Sequence, residues 1–219
     1  MKKVFLLFAF AMDVFFAMAE NQVVTVEFEN GGKKSLLMQN DFFIPFINMP
    51  NKVLKFVDPE TNEVQKYSTD SIKAVSYKSE GKDYTAVYTK VYDGMFYKCS
   101  KKLSKQRHLL SMVYEGEHIN VYASEVVRQM QMPMGATSTT KDMYVYFRRS
   151  GEEYPKYVVS FPITGIKVCK INMKKVLLNY FTEPDFVKRI QAGEFDLKKA
   201  KDMSVDFMVD IARKYDKSR

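Results

Sequence analysis

Residues Leu109–Ala123 read LLSMVYEGEHINVYA. Two runs rich in Leu, Val, Ile and Tyr flank Glu115-Gly116-Glu117, and a short glycine-containing connection between such runs predicts a β-hairpin. The same arrangement recurs outward in both directions. Upstream, Gln22–Glu29 (QVVTVEFE) alternates apolar and polar residues and runs into Asn30-Gly31, a dipeptide that favours positive φ at both centres of a two-residue hairpin turn. Lys34–Gln39 is its return strand. Lys52–Asp58 and Glu63–Tyr67 flank the turn Asp58–Asn62, and Ser71–Lys78 and Asp83–Tyr92 flank Glu80-Gly81-Lys82. Downstream, Met143–Arg149 and Tyr157–Phe161 flank Ser150-Gly151-Glu152-Glu153. Met132–Lys141 (MPMGATSTTK) reads as a loop, and Asp41–Pro50, broken by Pro45 and Pro50, as an irregular segment. Short strands with closely spaced turn signals predict an antiparallel sheet, closed as a barrel or stacked as a sandwich.

The period changes after residue 170. Met173, Val176, Leu177 and Tyr180 recur at helical spacing. Thr182 reads as the N-cap of a second helix, with Pro184 and Asp185 in its first turn and Gly193 at its end. A last helix, Asp202–Tyr215, carries Val205, Met208, Ile211, Ala212 and Tyr215 on one stripe. The expected fold is therefore α+β, mainly antiparallel β (barrel or sandwich), with a short C-terminal helical module. In domain terms this is a β-rich body over 20–170 and a helical module over 171–219 docked on it, since short helices need such packing.

The first nineteen residues, MKKVFLLFAFAMDVFFAMA, have the layout of a secretory signal peptide. Lys2 and Lys3 precede the apolar run Val4–Met12, and Ala17 and Ala19 supply small residues at the −3 and −1 positions of a cleavage site. The run is too short and interrupted to span a bilayer, which takes ~20 mostly apolar residues. Residues 1–19 are expected to be removed, leaving no transmembrane segment and an exported protein, periplasmic or extracellular. The chain is 46% hydrophobic and 27% charged, enough to build a core and to exclude wholesale disorder. Its formal charge of +8, outside the cytoplasm, suits anionic glycans or lipid headgroups better than nucleic acid. No nucleic-acid partner is expected. Cys99 and Cys169 either form one disulfide in an oxidising compartment or pack as two buried thiols.

Three groups of residues carry candidate chemistry. Lys98, Lys101, Lys102, Lys105 and Arg107 form a basic stretch beside strands bearing Tyr84 and Tyr88, a combination suited to anion or glycan binding. Met130, Met132 and Met134 alternate in MQMPM, and thioethers select Cu(I), so a copper site is the alternative. Nucleophilic catalysis finds little support: there is no Gly-x-Ser-x-Gly, and the two histidines, His108 and His118, lack zinc-hydrolase spacing. Glu115, Glu117, Glu152 and Glu153 fall on hairpin loops, where solvated charge is the ordinary explanation.

The stretches KVLKFVDPETNEVQKYSTDSIKAVSYK (52–78), LLSMVYEGEHINVYAS (109–124) and KKVLLNYFTEPDFVKRIQAGEF (174–195) together resemble uncharacterised secreted and periplasmic β-rich proteins of Bacteroidota. The resemblance covers most of the chain beyond residue 20 and rests on turn and core residues. It implies an envelope or secreted location and brings no catalytic residues. The sequence is thus read as an exported, non-catalytic module that binds an envelope protein or an anionic glycan, without a cofactor. Copper handling through the methionine cluster is the alternative, and a hydrolase the third reading.

Overall fold

The computed structural model describes residues 22–38, 53–79, 81–92, 102–131, 137–164, 172–195 and 203–219. The fold is mostly antiparallel sheet, ten strands followed by three short helices among the described residues. By compactness the described chain divides into two units between residues 83 and 84.

The first unit holds β1 (Gln22–Phe28), β2 (Lys33–Met38), β3 (Val53–Val57), β4 (Val64–Ser68) and β5 (Ile72–Ser79), in the spatial order β5-β1-β2-β3-β4. Alternation works as expected: Val24, Val26, Leu36, Met38, Leu54 and Phe56 are buried while their neighbours along each strand are more exposed. The β1–β2 turn differs from its expected form. Gly31 alone is left-handed (φ 83°), and Phe28 N–H donates to the Gly32 carbonyl at 2.8 Å, so a three-residue loop Glu29-Asn30-Gly31 replaces the two-residue turn. In the β3–β4 turn the buried Asp58 carboxylate accepts from Lys34 Nζ at 2.7 Å, from Gln65 Nε2 at 2.9 Å and from the Glu60 N–H at 3.0 Å. Lys34 beside it holds the Asp58 carboxyl below the usual range.

The second unit is built from β6 (Lys82–Thr89, mostly in this unit), β7 (His108–Glu115), β8 (Ile119–Gln131), β9 (Thr137–Arg149) and β10 (Lys156–Thr164), each beside the next. The hairpin that opens the sequence reading is β7–β8. β8 and β9 pair from Ile119↔Arg149 to Gln131↔Thr137, so Thr137–Lys141, read as loop, is strand: β-branched Thr137, Thr139 and Thr140 extend the ladder opposite Gln131, Gln129 and Arg128. Just past β6, Tyr92 N–H donates to the Pro155 carbonyl and the Tyr92 carbonyl accepts from Tyr157 N–H, both at 2.9 Å. That contact joins the segment just past β6 to β10, the opposite edge of this five-stranded sheet.

Two bulges decide which residue faces which side. Between Met112 and Tyr114 the β7–β8 register shifts, so Met112 stands opposite Tyr122 and Tyr114 opposite Val121. Strict alternation would put Met112 and Tyr114 on one face; the bulge at Val113 sends them to opposite ones. A second shift between Tyr157 and Val159 does the same on β10. The inner face accordingly holds Val91, Leu110, Tyr122, Tyr146 and Tyr157.

The outer face, with Ile119, Val121, Val145, Phe147 and Val159, is covered by α1 (Met173–Tyr180), α2 (Pro184–Gln191) and α3 (Val205–Asp216), so sheet and helices share one core. Asn172 Oδ1 caps α1 by accepting from Lys175 N–H at 3.0 Å, and Ser204 Oγ caps α3 by accepting from Phe207 N–H at 3.1 Å. The cap position of α2 is Glu183, one residue beyond the expected Thr182, and its side chain makes no cap bond because it is engaged elsewhere. Phe181, between α1 and α2, is the aromatic centre: the rings of Tyr180, Phe186 and Tyr215 lie 4.9, 4.7 and 4.9 Å from its own. No helix among the described residues is long and apolar enough to cross a membrane.

Candidate functional site

Successive residues on a strand point to opposite faces, so β9 sends the neighbours Arg148 and Arg149 into different surroundings. Arg149 turns to the helices. Its Nε donates to Glu152 Oε1 at 2.9 Å and its Nη1 to Glu183 Oε1 at 3.0 Å, while its guanidinium lies 5.0 Å from the centre of the Tyr180 ring. Glu152 also accepts from the Arg149 N–H at 3.0 Å, from Lys156 Nζ at 2.8 Å and from the Tyr180 hydroxyl at 3.0 Å. Glu183 accepts from the Tyr215 hydroxyl at 2.9 Å. Burial works against the charge of all three groups, and the surrounding partners outweigh it. Both carboxyls are held below their ordinary range and the Arg149 guanidinium above its own.

Arg148 turns the other way. Its cross-strand neighbour is Asn120, and its guanidinium sits 5.6 Å from the centre of the Tyr122 ring, a cation–π contact. No carboxylate pairs with Arg148 among the described residues. Asn120 Oδ1 accepts from the Gly116 N–H at 3.2 Å, which fixes the amide beside it.

These side chains line a cleft of about 230 Å³ between the β7–β8 connection and the β9–β10 turn, formed by residues 116–120 and 148–152 and almost wholly polar. Ser150 N–H donates to the His118 carbonyl at 2.8 Å and ties the two walls together. Glu117 is exposed at the rim and His118 half-buried. The β7–β8 wall is anchored from behind by α3: Asp216 Oδ1 accepts from His118 N–H at 2.8 Å and Oδ2 from the Tyr114 hydroxyl at 2.6 Å. Burial and the Asp216 carboxylate push the Tyr114 hydroxyl up to about 12. The bulge at Val113 is what brings Tyr114 round to meet Asp216.

The anchor leaves no room at Gly116, where a Cβ would stand 1.7 Å from Asp216 Oδ2 and 2.8 Å from the Ile119 carbonyl oxygen. Gly116→Ala should therefore break the Asp216 anchor and cost about 2 kcal/mol, a fall of roughly 4–8 °C in Tm. A thermal melt of this variant beside Asp216→Asn checks it. The double variant should lose clearly less than the sum, because both changes remove the same contact.

The residues singled out from the sequence fall elsewhere. Lys102 and Lys105 are exposed on the connection after β6, and Arg107 there donates through Nε to the Tyr88 carbonyl at 3.1 Å. Tyr84 is half-buried, and Tyr88 is 4% exposed, with burial pushing its hydroxyl up to about 12, so its ring offers no stacking surface. Met130 pairs with Ser138 near the far end of the β8–β9 hairpin, away from the cleft. Lys98, Lys101, Met132, Met134, Cys99, Cys169 and residues 1–19 lie outside the described residues. Among the described residues no group of three His, Cys, Asp or Glu side chains is placed to hold a metal ion.

The sequence reading passed over Arg148 and took Glu152 for a solvated loop charge. The usable signal was Arg148-Arg149 on a strand: one of two adjacent arginines must face the core side and needs a carboxylate there. Glu152, three residues on across the turn, is that carboxylate rather than a solvated loop charge.

Comparison of this chain with protein-family models, with curated proteins and with solved structures finds no match.

Proposed function

We propose that this protein is an exported, non-catalytic binding module of the cell envelope or extracellular space, and that it holds an anionic glycan in the cleft of its second unit. The observation that carries the reading is Arg148, a half-buried guanidinium on a cleft wall without a carboxylate of its own. A guanidinium presents a rigid fork of donors, and in a sheltered position it recruits its counter-charge from a ligand. The polar lining favours a hydroxyl-rich ligand over a protein, because protein interfaces centre on apolar and aromatic anchors. Glu152, the inner carboxylate of the cleft, is held by three side-chain donors, which suits a structural role rather than proton transfer. The signal-peptide layout of residues 1–19 and the basic charge support export and an anionic partner.

The test is affinity electrophoresis of the purified protein through acidic and neutral polysaccharides. Retardation by acidic gels, weakened by added salt, should be abolished in Arg148→Ala and kept in Lys188→Ala, a substitution of an exposed lysine on α2. Turnover of a glycan, peptide or ester panel would overturn the reading. So would equal retardation of the Arg148→Ala variant, or capture of a specific protein partner with no glycan binding.

A further inference from the structure

We infer that the cleft selects a uronic acid: one carboxylate carried on a hydroxyl-bearing ring, with the carboxylate on Arg148 and the ring hydroxyls on Glu117 and Asn120. This rests on the glycan-binding reading above and narrows it to a class of sugar. Size is the first argument. About 230 Å³ lies below the roughly 300–1,000 Å³ of pockets that enclose drug-sized ligands, which leaves room for one sugar ring.

Charge is the second. Within the lining, Arg149 and Glu152 neutralise one another, so besides the polar groups of His118, Asn120 and Ser150 the permanent charges left for a ligand are one cation, Arg148, and one rim carboxylate, Glu117. A phosphate monoester carries close to two negative charges at neutral pH, and its second charge would face Glu117 with nothing to offset it. A carboxylate brings one charge, and the hydroxyls beside it are donors that a glutamate accepts.

Geometry is the third. The Tyr122 ring, 2% exposed, lies behind the guanidinium and does not reach the ligand; Tyr122 is a positioning residue. A guanidinium seated on a ring keeps its edge for a planar two-oxygen acceptor, the bidentate arrangement that a carboxylate matches.

The experiment is calorimetric titration of the full chain with oligosaccharides of alginate, polygalacturonate and hyaluronan, each beside its carboxyl-reduced form, and with a galactose oligomer bearing 6-sulfate groups. At least one uronate should bind, and carboxyl reduction should weaken it about ten- to a hundredfold, the scale of a hydrogen-bonded charge. Arg148→Lys, which keeps the charge and loses the fork, should lose at least tenfold. Tyr122→Leu removes the ring under the guanidinium and, for both ligands alike, the hydroxyl that accepts from Asn120 Nδ2 at 3.5 Å, so it should weaken uronate binding at least fivefold more than it weakens any affinity for the carboxyl-reduced form, a split that general loosening of the fold would not give. Binding of glycans with less than a twofold effect of carboxyl reduction, or equal binding of the sulfated oligomer, overturns the uronate assignment and leaves the glycan reading standing. Failure of every glycan to bind overturns both.

Discussion

Glu152→Ala is expected to destabilise the second unit by about 2–4 kcal/mol, somewhat below the range for removing one partner of a fully buried charge pair because Arg149 and Glu152 are half-buried. For a chain of this size that corresponds to a fall in Tm of roughly 10 °C. The size follows from how many groups lean on one carboxylate. Arg149 would keep only Glu183, while the Lys156 ammonium and the Tyr180 hydroxyl would lose the acceptor that joins β9, β10 and α1. Glu152→Gln should cost less, because the amide oxygen in the Oε1 position keeps Lys156 and Arg149 Nε, and the Tyr180 hydroxyl can turn to accept from the amide NH2 in the Oε2 position. The apolar pair Arg149→Met with Glu152→Leu should recover only the part of the loss that comes from the stranded Arg149 guanidinium, since Lys156 and Tyr180 still lack their acceptor and Glu183 loses Arg149. Thermal melts of the four proteins decide it. A Glu152→Ala variant melting within about 2 °C of the parent would show that the network contributes nothing net.

Phe181→Ala should be comparably severe, at about 3–5 kcal/mol, the usual cost of emptying a buried phenylalanine site. Phe181 is 1% exposed and touches rings from α1, α2, α3 and the sheet, including Phe147 at 6.0 Å. Those neighbours are themselves pinned, Tyr180 by Glu152 and Tyr215 by Glu183, so the cavity cannot readily collapse. Urea denaturation should show a lower midpoint with an unchanged slope if the loss is one of packing alone. Phe181→Leu, which keeps most of the volume, should lose less than half as much. The same substitution should also reach the cleft: Tyr215 packs on Phe181, and the next residue, Asp216, anchors the β7–β8 wall. A destabilised but still folded Phe181→Leu protein should therefore bind glycan more weakly, although residue 181 lies outside the lining.

The repeated hairpins and the switch to helical period were legible because they are local: alternation marks the strands, and glycine and proline mark their ends. The three helices fall where Met173, Phe186 and Met208 place them, within three residues at their ends. What escaped the reading depends on pairing. Nothing in LLSMVYE marks Val113 as the extra residue of a bulge, yet that one-residue shift turns Tyr114 outward to Asp216. The strand character of Thr137–Lys141 comes from the partner it meets on β8, and a serine- and threonine-rich run without that partner reads as loop. The candidate site suffered most. Basic residues clustered in sequence, such as Lys102 and Lys105, drew notice, whereas Arg148 matters through a contrast with its neighbour that appears only once the faces are assigned.

The Asp216 anchor also sets an order of assembly. Tyr114 and Asp216 are 102 positions apart in the chain, whereas the β8–β9 ladder joins residues close in sequence. Local hairpins can zip early, but a contact spanning that length must await the loop closure that brings α3 back to the sheet. Both walls of the cleft are therefore made before the brace that holds one of them in place. A fragment spanning 84–164 would contain every lining residue but lack the Asp216 brace, so the cleft is expected to take its final form in the last step of folding rather than in either hairpin.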